Sequence, residues 1–219
     1  GEVIVMLKNK VAVVTGGTRG IGYAIVEKFL KNGAKVVLFG SRQETVEKAI
    51  ASLKAENETW EVSGAWPVLT DAGAVAAEMA KIKETYGKID ILVNNAGVSD
   101  STSIGKYTAE HFSKVMDLNV NGMMNGILPV VEIMKEQGGG CILNTSSMVS
   151  LCGQPGGVAY PASKYAVNGL TWSLARELGP CNIRVNAVAP GITRTDMVAA
   201  LPKEMIEPLV NRIPLRRIG

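Results

Sequence analysis

Hydrophobic positions along the chain fall into short apolar runs, each followed by a longer stretch with apolar residues three and four apart. The runs at 11–14, 35–39, 60–66, 89–93, 141–145 and 184–189 predict β-strands. Between them, 23–32, 44–55, 72–86, 108–134 and 161–178 predict helices, and 196–212, rich in Met, Leu and Ile, predicts one more. Gly33 closes the first of these, and Pro161 stands in the first turn of another, where a missing N–H costs nothing. The glycines at 138–140 read as a turn. Strand and helix alternating through short connections imply an α/β fold: a doubly wound parallel sheet with helices on both faces. Ligands bind such sheets beyond the carboxyl ends of the strands, so the chemistry is to be sought just after each run.

Composition narrows the picture without changing it. The 219 residues, 47% of them hydrophobic, suit one domain spanning 1–219. A net charge of +3, spread without a basic run, gives no sign of nucleic acid or an anionic membrane as the main partner, and neither is expected. Cys141, Cys152 and Cys181 are odd in number and widely spaced, against both a disulfide framework and a zinc site. The apolar run at 3–7 is too short for a membrane span and no small-residue cleavage site follows it, so a reducing cytoplasm is expected. No Asp/Glu/His grouping has metal-ligand spacing, and no metal is expected. His111, the single histidine, sits in a mixed-polarity helical stretch and reads as a surface residue.

Two stretches carry candidate chemistry on their own. Thr15-Gly16-Gly17-Thr18-Arg19-Gly20-Ile21-Gly22 lies between a strand and a helix, where glycines let backbone approach a pyrophosphate at the helix N-terminus. Tyr160-Pro161-Ala162-Ser163-Lys164 puts a phenol and an ammonium four residues apart, on one helical face. The ammonium stabilises a phenolate, so the pair can exchange a proton with an alcohol or ketone; the plainer reading is an aromatic ring on a lysine stem. Asn119 is an odd residue for an apolar helix interior, where its amide needs partners.

The glycine turn, spaced T-G-x-x-x-G-x-G, resembles that of the classical short-chain dehydrogenase/reductase family, and the resemblance spans almost the whole chain. It implies a Rossmann-type domain that binds a nicotinamide dinucleotide and moves hydride between it and a secondary alcohol or ketone. Gly16, Thr18, Arg19, Gly20, Ile21 and Gly22 would form the cofactor loop. Asn94-Asn95-Ala96-Gly97 matches the family's N-N-A-G, with Asn95, Ala96 and Gly97 at the cofactor, and Pro190, Gly191, Ile192 and Thr195 belong to its P-G-x-x-x-T, which holds the nicotinamide carboxamide. Ser147 lies thirteen residues before Tyr160, the family spacing for a serine that orients the substrate oxygen; Ser146 would cap the strand. Tyr160 is then the acid/base, Lys164 its electrostatic partner and a ribose ligand, and Asn119 the support of a proton relay.

Two departures matter. Where the family often has an aspartate near the adenine, this chain has Val68-Leu69, leaving Leu69 as an apolar wall. At the end of the second strand a carboxylate would bind a ribose 2′-hydroxyl and repel a 2′-phosphate. Ser41 stands there instead, with Arg42 and Arg19 nearby, which favours NADP(H) and leaves NAD(H) open. The glycine turn, the end of the second strand and the Tyr160 motif are most similar to bacterial bile-acid hydroxysteroid dehydrogenases. A 3-oxoacyl-(acyl carrier protein) reductase is the alternative, with Cys181 where those reductases carry an arginine; a third reading is a non-catalytic NADP(H)-sensing regulator. The resemblance further implies a homotetramer or homodimer, and a C-terminal helix and last strand missing from 1–219.

Overall fold

The computed structural model describes residues 5–195 and 203–219. Strands β1 (Val11–Thr15), β2 (Lys35–Phe39), β3 (Val62–Ala65), β4 (Ile91–Asn94), β5 (Gly140–Thr145) and β6 (Ile183–Val188) form one sheet. Every pairing is parallel, in the order β3-β2-β1-β4-β5-β6. The chain winds outward from β1 in one direction and then from β4 in the other, so the crevice between their ends is the switch point of the sheet.

Alternation along the strands builds two cores. Val11 and Val13 of β1, with Val37 and Phe39 of β2, face one layer that includes Met79, Ile127, Met134 and Val167. Ala12, Val14, Val36 and Leu38 face the other, against Val26, Leu30, Val46 and Leu53. The first layer holds helices α3 (Ala72–Tyr86), α5 (Gly122–Glu136) and α7 (Ala159–Leu178); the second holds α1 (Gly20–Lys31) and α2 (Gln43–Glu56). With both faces covered, the central strands are apolar on both sides, as a parallel sheet requires.

A polar ladder crosses the first layer. Asn94 Nδ2 donates to Asn144 Oδ1 (2.9 Å), Asn144 Nδ2 donates to Thr171 Oγ1 (3.0 Å), and Thr171 Oγ1 donates to the Val167 carbonyl (2.7 Å). All three side chains are buried. The ladder ties β4 to β5 and β5 to α7.

Several expectations are corrected. The long helix expected at 108–134 is broken: α4 (Ala109–Met116) passes into a π-turn, Asp117–Asn121, before α5. The π-turn inserts one residue and turns Asn119 inward. α1 begins at Gly20, inside the glycine turn, because the turn itself supplies its first residues. A short helix α6 (Val149–Cys152) follows β5, and 3-10 turns at Ile104–Lys106 and Gly179–Cys181 were not foreseen. Of the stretch expected to be helical at 196–212, residues 196–202 lie outside the described residues; Lys203–Val210 is a helix. Among the described residues no helix is long and apolar enough to cross a membrane.

Candidate active site

A cleft of ≈ 1530 Å³ opens along the carboxyl ends of the strands. One wall is the glycine turn, with Gly16, Thr18, Arg19, Gly20 and Ile21. Ser41 and Leu69 line one end; Asn95, Ala96 and Gly97 form the floor at the switch point. Ser147, Tyr160 and Lys164 meet Pro190, Gly191, Ile192 and Thr195 around the other end. Residues from six separate loops thus share one cavity, as the strand-end rule requires.

Three expected residues do not line it. Gly22 lies under the turn: a Cβ there would sit 2.0 Å from the Gly16 carbonyl oxygen, so its glycine permits the close helix–turn contact. Arg42 is an exposed, extended residue that starts α2, its carbonyl accepting from the Thr45 hydroxyl and the Val46 amide. Asn119 borders a small pocket of ≈ 10 Å³ with Asn94 and Thr15, which adjoins the cleft through the shared Lys164 and Thr145.

At the N-terminus of α1, Arg19 makes no side-chain cap and no acidic residue stands in the first turn. The first amides of the helix are therefore available, with a favourable dipole, to an anionic group in the cleft. This wall, the apolar Leu69 and the long cavity fit a dinucleotide. Asp71, downstream of Leu69, is taken up elsewhere: its carboxylate accepts from the Ala74 amide (3.0 Å) as the cap of α3.

Tyr160 is the second residue of α7 and Lys164 lies one turn on. The lysine is 6% exposed, and its Nζ donates to the Thr145 carbonyl (2.8 Å) while standing 5.8 Å from the centre of the Tyr160 ring. Burial pushes its pKa down to about 8.

Ser146 and Ser147 follow β5 but face different partners. Ser146 Oγ lies 2.7 Å from Asn168 Oδ1, 3.2 Å from the Lys164 carbonyl and 3.3 Å from Ser150 Oγ. It anchors α7 rather than capping the strand. Ser147 Oγ accepts from the Val149 amide (3.4 Å), which leaves its proton to be donated into the cleft. The loop is held by the Met148 amide, which donates to the Pro190 carbonyl (3.0 Å).

Asn119 is fully engaged. Its Oδ1 accepts from the Val98 amide (2.8 Å), and its Nδ2 donates to the Val98 carbonyl (2.9 Å) and to Ser163 Oγ (3.0 Å). Ser163 Oγ in turn donates to the Tyr160 carbonyl (2.7 Å). The amide thus joins the loop after β4 to the first turn of α7.

Sequence reasoning missed Thr15. Its hydroxyl accepts from the Asn95 and Ala96 amides (both 3.0 Å) and holds the floor of the cleft against β1. A threonine closing an apolar strand before a glycine turn was the available signal. His111 keeps 39% of its side chain exposed, and its Nε2 also lies 3.0 Å from Asp100 Oδ1, a contact the sequence did not reveal. Among the described residues no group of three His, Cys, Asp or Glu could hold a metal ion.

Comparison with known proteins places the chain in a family. Residues 10–206 match the short chain dehydrogenase family. The chain is 63% identical to the 3α-hydroxysteroid dehydrogenase of Mediterraneibacter gnavus, covering 98% of this chain and 86% of that protein. It is 36% identical to the 3-oxoacyl-[acyl-carrier-protein] reductase FabG of Chlamydia muridarum, over 98% and 86% of the respective chains. A crystal structure of NAD⁺-bound xylitol dehydrogenase superposes with a TM-score of 0.92 at 30% identity, covering 98% of this chain and 88% of that one. The chain therefore belongs to the short-chain dehydrogenase family and is a nicotinamide-dependent oxidoreductase of alcohols and ketones.

Proposed function

We propose that the protein interconverts a hydroxyl and a ketone on a steroid of the bile-acid class, using NADP(H), with Ser147, Tyr160, Lys164 and Asn119 as its working residues. The observation that carries the reading is the convergence of Ser147, Tyr160 and Lys164 on one end of a cleft whose other wall is the uncapped N-terminus of α1. Bound nicotinamide supplies or accepts the hydride. The Ser147 hydroxyl donates a hydrogen bond to the substrate oxygen, where charge develops. Tyr160 delivers the proton to that oxygen in reduction and removes it in oxidation. The Lys164 ammonium sits beside the ring and offers its remaining protons to the cofactor ribose. Asn119 holds the loop and the helix at the spacing this transfer needs, beside the small pocket that Lys164 also borders.

The steroid assignment draws support from the 63% identity to a 3α-hydroxysteroid dehydrogenase. It is also consistent with exposed apolar side chains: Val98, which lines the cleft, and Met148 and Leu151 in the segment that follows Ser147. The 36% identity to a 3-oxoacyl-carrier reductase keeps that activity as the second reading. Initial rates on a 3-ketosteroid and on an acetoacetyl thioester separate the two. A specificity constant larger for the thioester overturns the steroid assignment.

The NADP(H) preference rests on Ser41 at the end of β2 and on the exposed Arg19 of the glycine turn, both of which line the cleft. Arg42 is directed by its backbone to the start of α2 and is given the lesser part. A homo-oligomer is supported by large side chains standing out from two helices: Leu128 on α5, and Tyr165 and Trp172 on α7. We infer a single functional domain and a cytoplasmic setting, in which the three unpaired cysteines stay reduced.

A further inference from the structure

Two stretches remote in sequence meet beside Tyr160. Residues 100–111 follow β4; residues 154–159 lead into α7. At their junction lies Asp100, whose side chain is 2% exposed. Its Oδ1 accepts from the Thr102 amide (3.0 Å) and from His111 Nε2 (3.0 Å), and its Oδ2 accepts from the Tyr107 hydroxyl. The Tyr107 and His111 rings meet edge to face, 4.9 Å between centres. The Tyr107 oxygen has a second role: it accepts from the Ala159 amide (3.2 Å).

Ala159 is the first residue of α7 and Tyr160 the second. The helix begins without a side-chain cap, since Val158 stands at the N-cap. The amide of its first residue, one of the donors a helix start leaves unpaired, is satisfied by a phenol from the segment that follows β4. The direction of these bonds is fixed by proton count. A phenol has one proton. Given to Asp100, it leaves only lone pairs facing Ala159. Burial and then the Asp100 carboxylate raise the Tyr107 pKa, so the phenol keeps that proton. Burial pushes the Asp100 carboxyl up, but hydrogen bonds from Tyr107, Thr102 and His111 outweigh it and hold the group well below the usual carboxylate range. An ionised carboxylate only accepts, so the Nε2 of His111 carries its proton.

Further ties hold the two stretches in register. Gln154 Nε2 donates to the Asp100 carbonyl (2.7 Å), and the Gly157 amide donates to the Thr102 carbonyl (2.7 Å). Gly157 has φ +65°, and a Cβ there would lie 2.1 Å from the Asp100 carbonyl oxygen, so only glycine allows the approach. The other end of the same loop is gripped by Asn119 at Val98, and Gly97, Val98 and Ser99 line the cleft.

We propose that Asp100 and Tyr107, oriented by His111, are positioning residues that fix the first turn of α7 and with it the Tyr160 hydroxyl relative to the cleft. They touch neither substrate nor cofactor in this role; they act through Tyr160, and the proposal rests on reading Tyr160 as the acid/base. Small displacements of a reacting group are costly, of order 10²-fold for ~1 Å, which sets the scale of the effect.

The test is Tyr107→Phe, which keeps the ring against His111 and removes the hydroxyl. Expected are a kcat on a 3-ketosteroid at least tenfold lower, with KM and the NADPH Kd within twofold of wild type. Amide exchange at Ala159 and Tyr160 is expected to speed up at least tenfold, with the rest of α7 unchanged. His111→Ala is expected to lose part of kcat, and His111→Gln, whose amide can still donate to Asp100, to regain at least half of that loss. A Tyr107→Phe kcat within twofold of wild type overturns the proposal. So does a fall in kcat, NADPH affinity and melting temperature together, which marks general damage. If Tyr107→Phe does not fold, a folded His111→Ala with wild-type kcat overturns it equally. Tyr160→Phe serves as reference: turnover surviving there sinks the acid/base reading itself, whereas a dead Tyr160→Phe beside an unaffected Tyr107→Phe sinks this proposal alone.

Discussion

Lys164 Nζ stands 5.8 Å from the centre of the Tyr160 ring and donates a hydrogen bond to the Thr145 carbonyl at 2.8 Å. The lysine therefore acts on the phenol as a nearby charge set over its ring, while its position is dictated by the end of β5. Removing the phenol should spare this arrangement. Tyr160→Phe is expected to bind NADPH within about threefold of wild type and to lose turnover by at least ~10³-fold, of the order that acid–base catalysis provides. Fluorescence titration of NADPH together with steady-state rates checks both halves.

The buried lysine also predicts a pH effect on stability. Lys164 titrates at about 8 in the fold against 10.5 ordinarily. Below pH 8 it is charged in both folded and unfolded chains, and the fold bears the full desolvation cost. Between the two values the unfolded chain binds more protons, so the contribution of this group to stability rises with pH. Above 10.5 the cost is gone. Lys164→Met should therefore stabilise the cofactor-free protein by up to about 3 kcal/mol at pH 7, less what the Thr145 bond returns, with the gain shrinking towards pH 10. Melting curves of the two proteins across that range provide the check; a gain that grows with pH contradicts the assignment.

Adjacent serines should separate cleanly. Ser147→Ala removes the hydrogen bond to the substrate oxygen and is expected to lower kcat by ~10²–10³-fold with little change in melting. Ser146→Ala leaves Asn168 Oδ1 without its 2.7 Å partner and is expected to cost about 1–3 kcal/mol of stability, with a much smaller effect on kcat. Urea unfolding and kinetics on the same preparations distinguish them.

Cofactor choice should turn on one position. Ser41→Asp places a carboxylate at the end of β2, where it repels a 2′-phosphate and binds a 2′-hydroxyl. The ratio of kcat/KM for NADPH to that for NADH is expected to fall by at least tenfold. An unchanged ratio would show that Ser41 does not face the ribose.

Much of this was legible in the chain. The strands follow from apolar runs joined by helical stretches, and the loop residues converge because a parallel sheet sends every strand's carboxyl end to one rim. The π-turn at Asp117–Asn121 left no mark in the apolar pattern, because one inserted residue shifts the helical period too little to break it. Arg42 was drawn into the site by its charge, yet its extended backbone is used to start α2. The contact between His111 and Asp100 went unseen because Asp100 lies in an irregular loop whose path no periodicity reveals. In each case the information lies in contacts between segments, and a one-dimensional pattern carries only the spacing within them.

The Asn94–Asn144–Thr171 ladder bears on how such a rim is made accurately. In a parallel sheet a slip of β5 by one residue turns Asn144 to the opposite face. Asn94 and Thr171 would then be sealed in without their partners, at about 1–3 kcal/mol for each stranded group. Hydrophobic strands alone would tolerate such a slip, since valine replaces valine at small cost. The ladder makes the interior intolerant of it, acting as a proofreader of strand register while the protein assembles. The alignment of Ser147, in the loop after β5, and Tyr160, at the start of α7, is thus inherited from a check completed in the core.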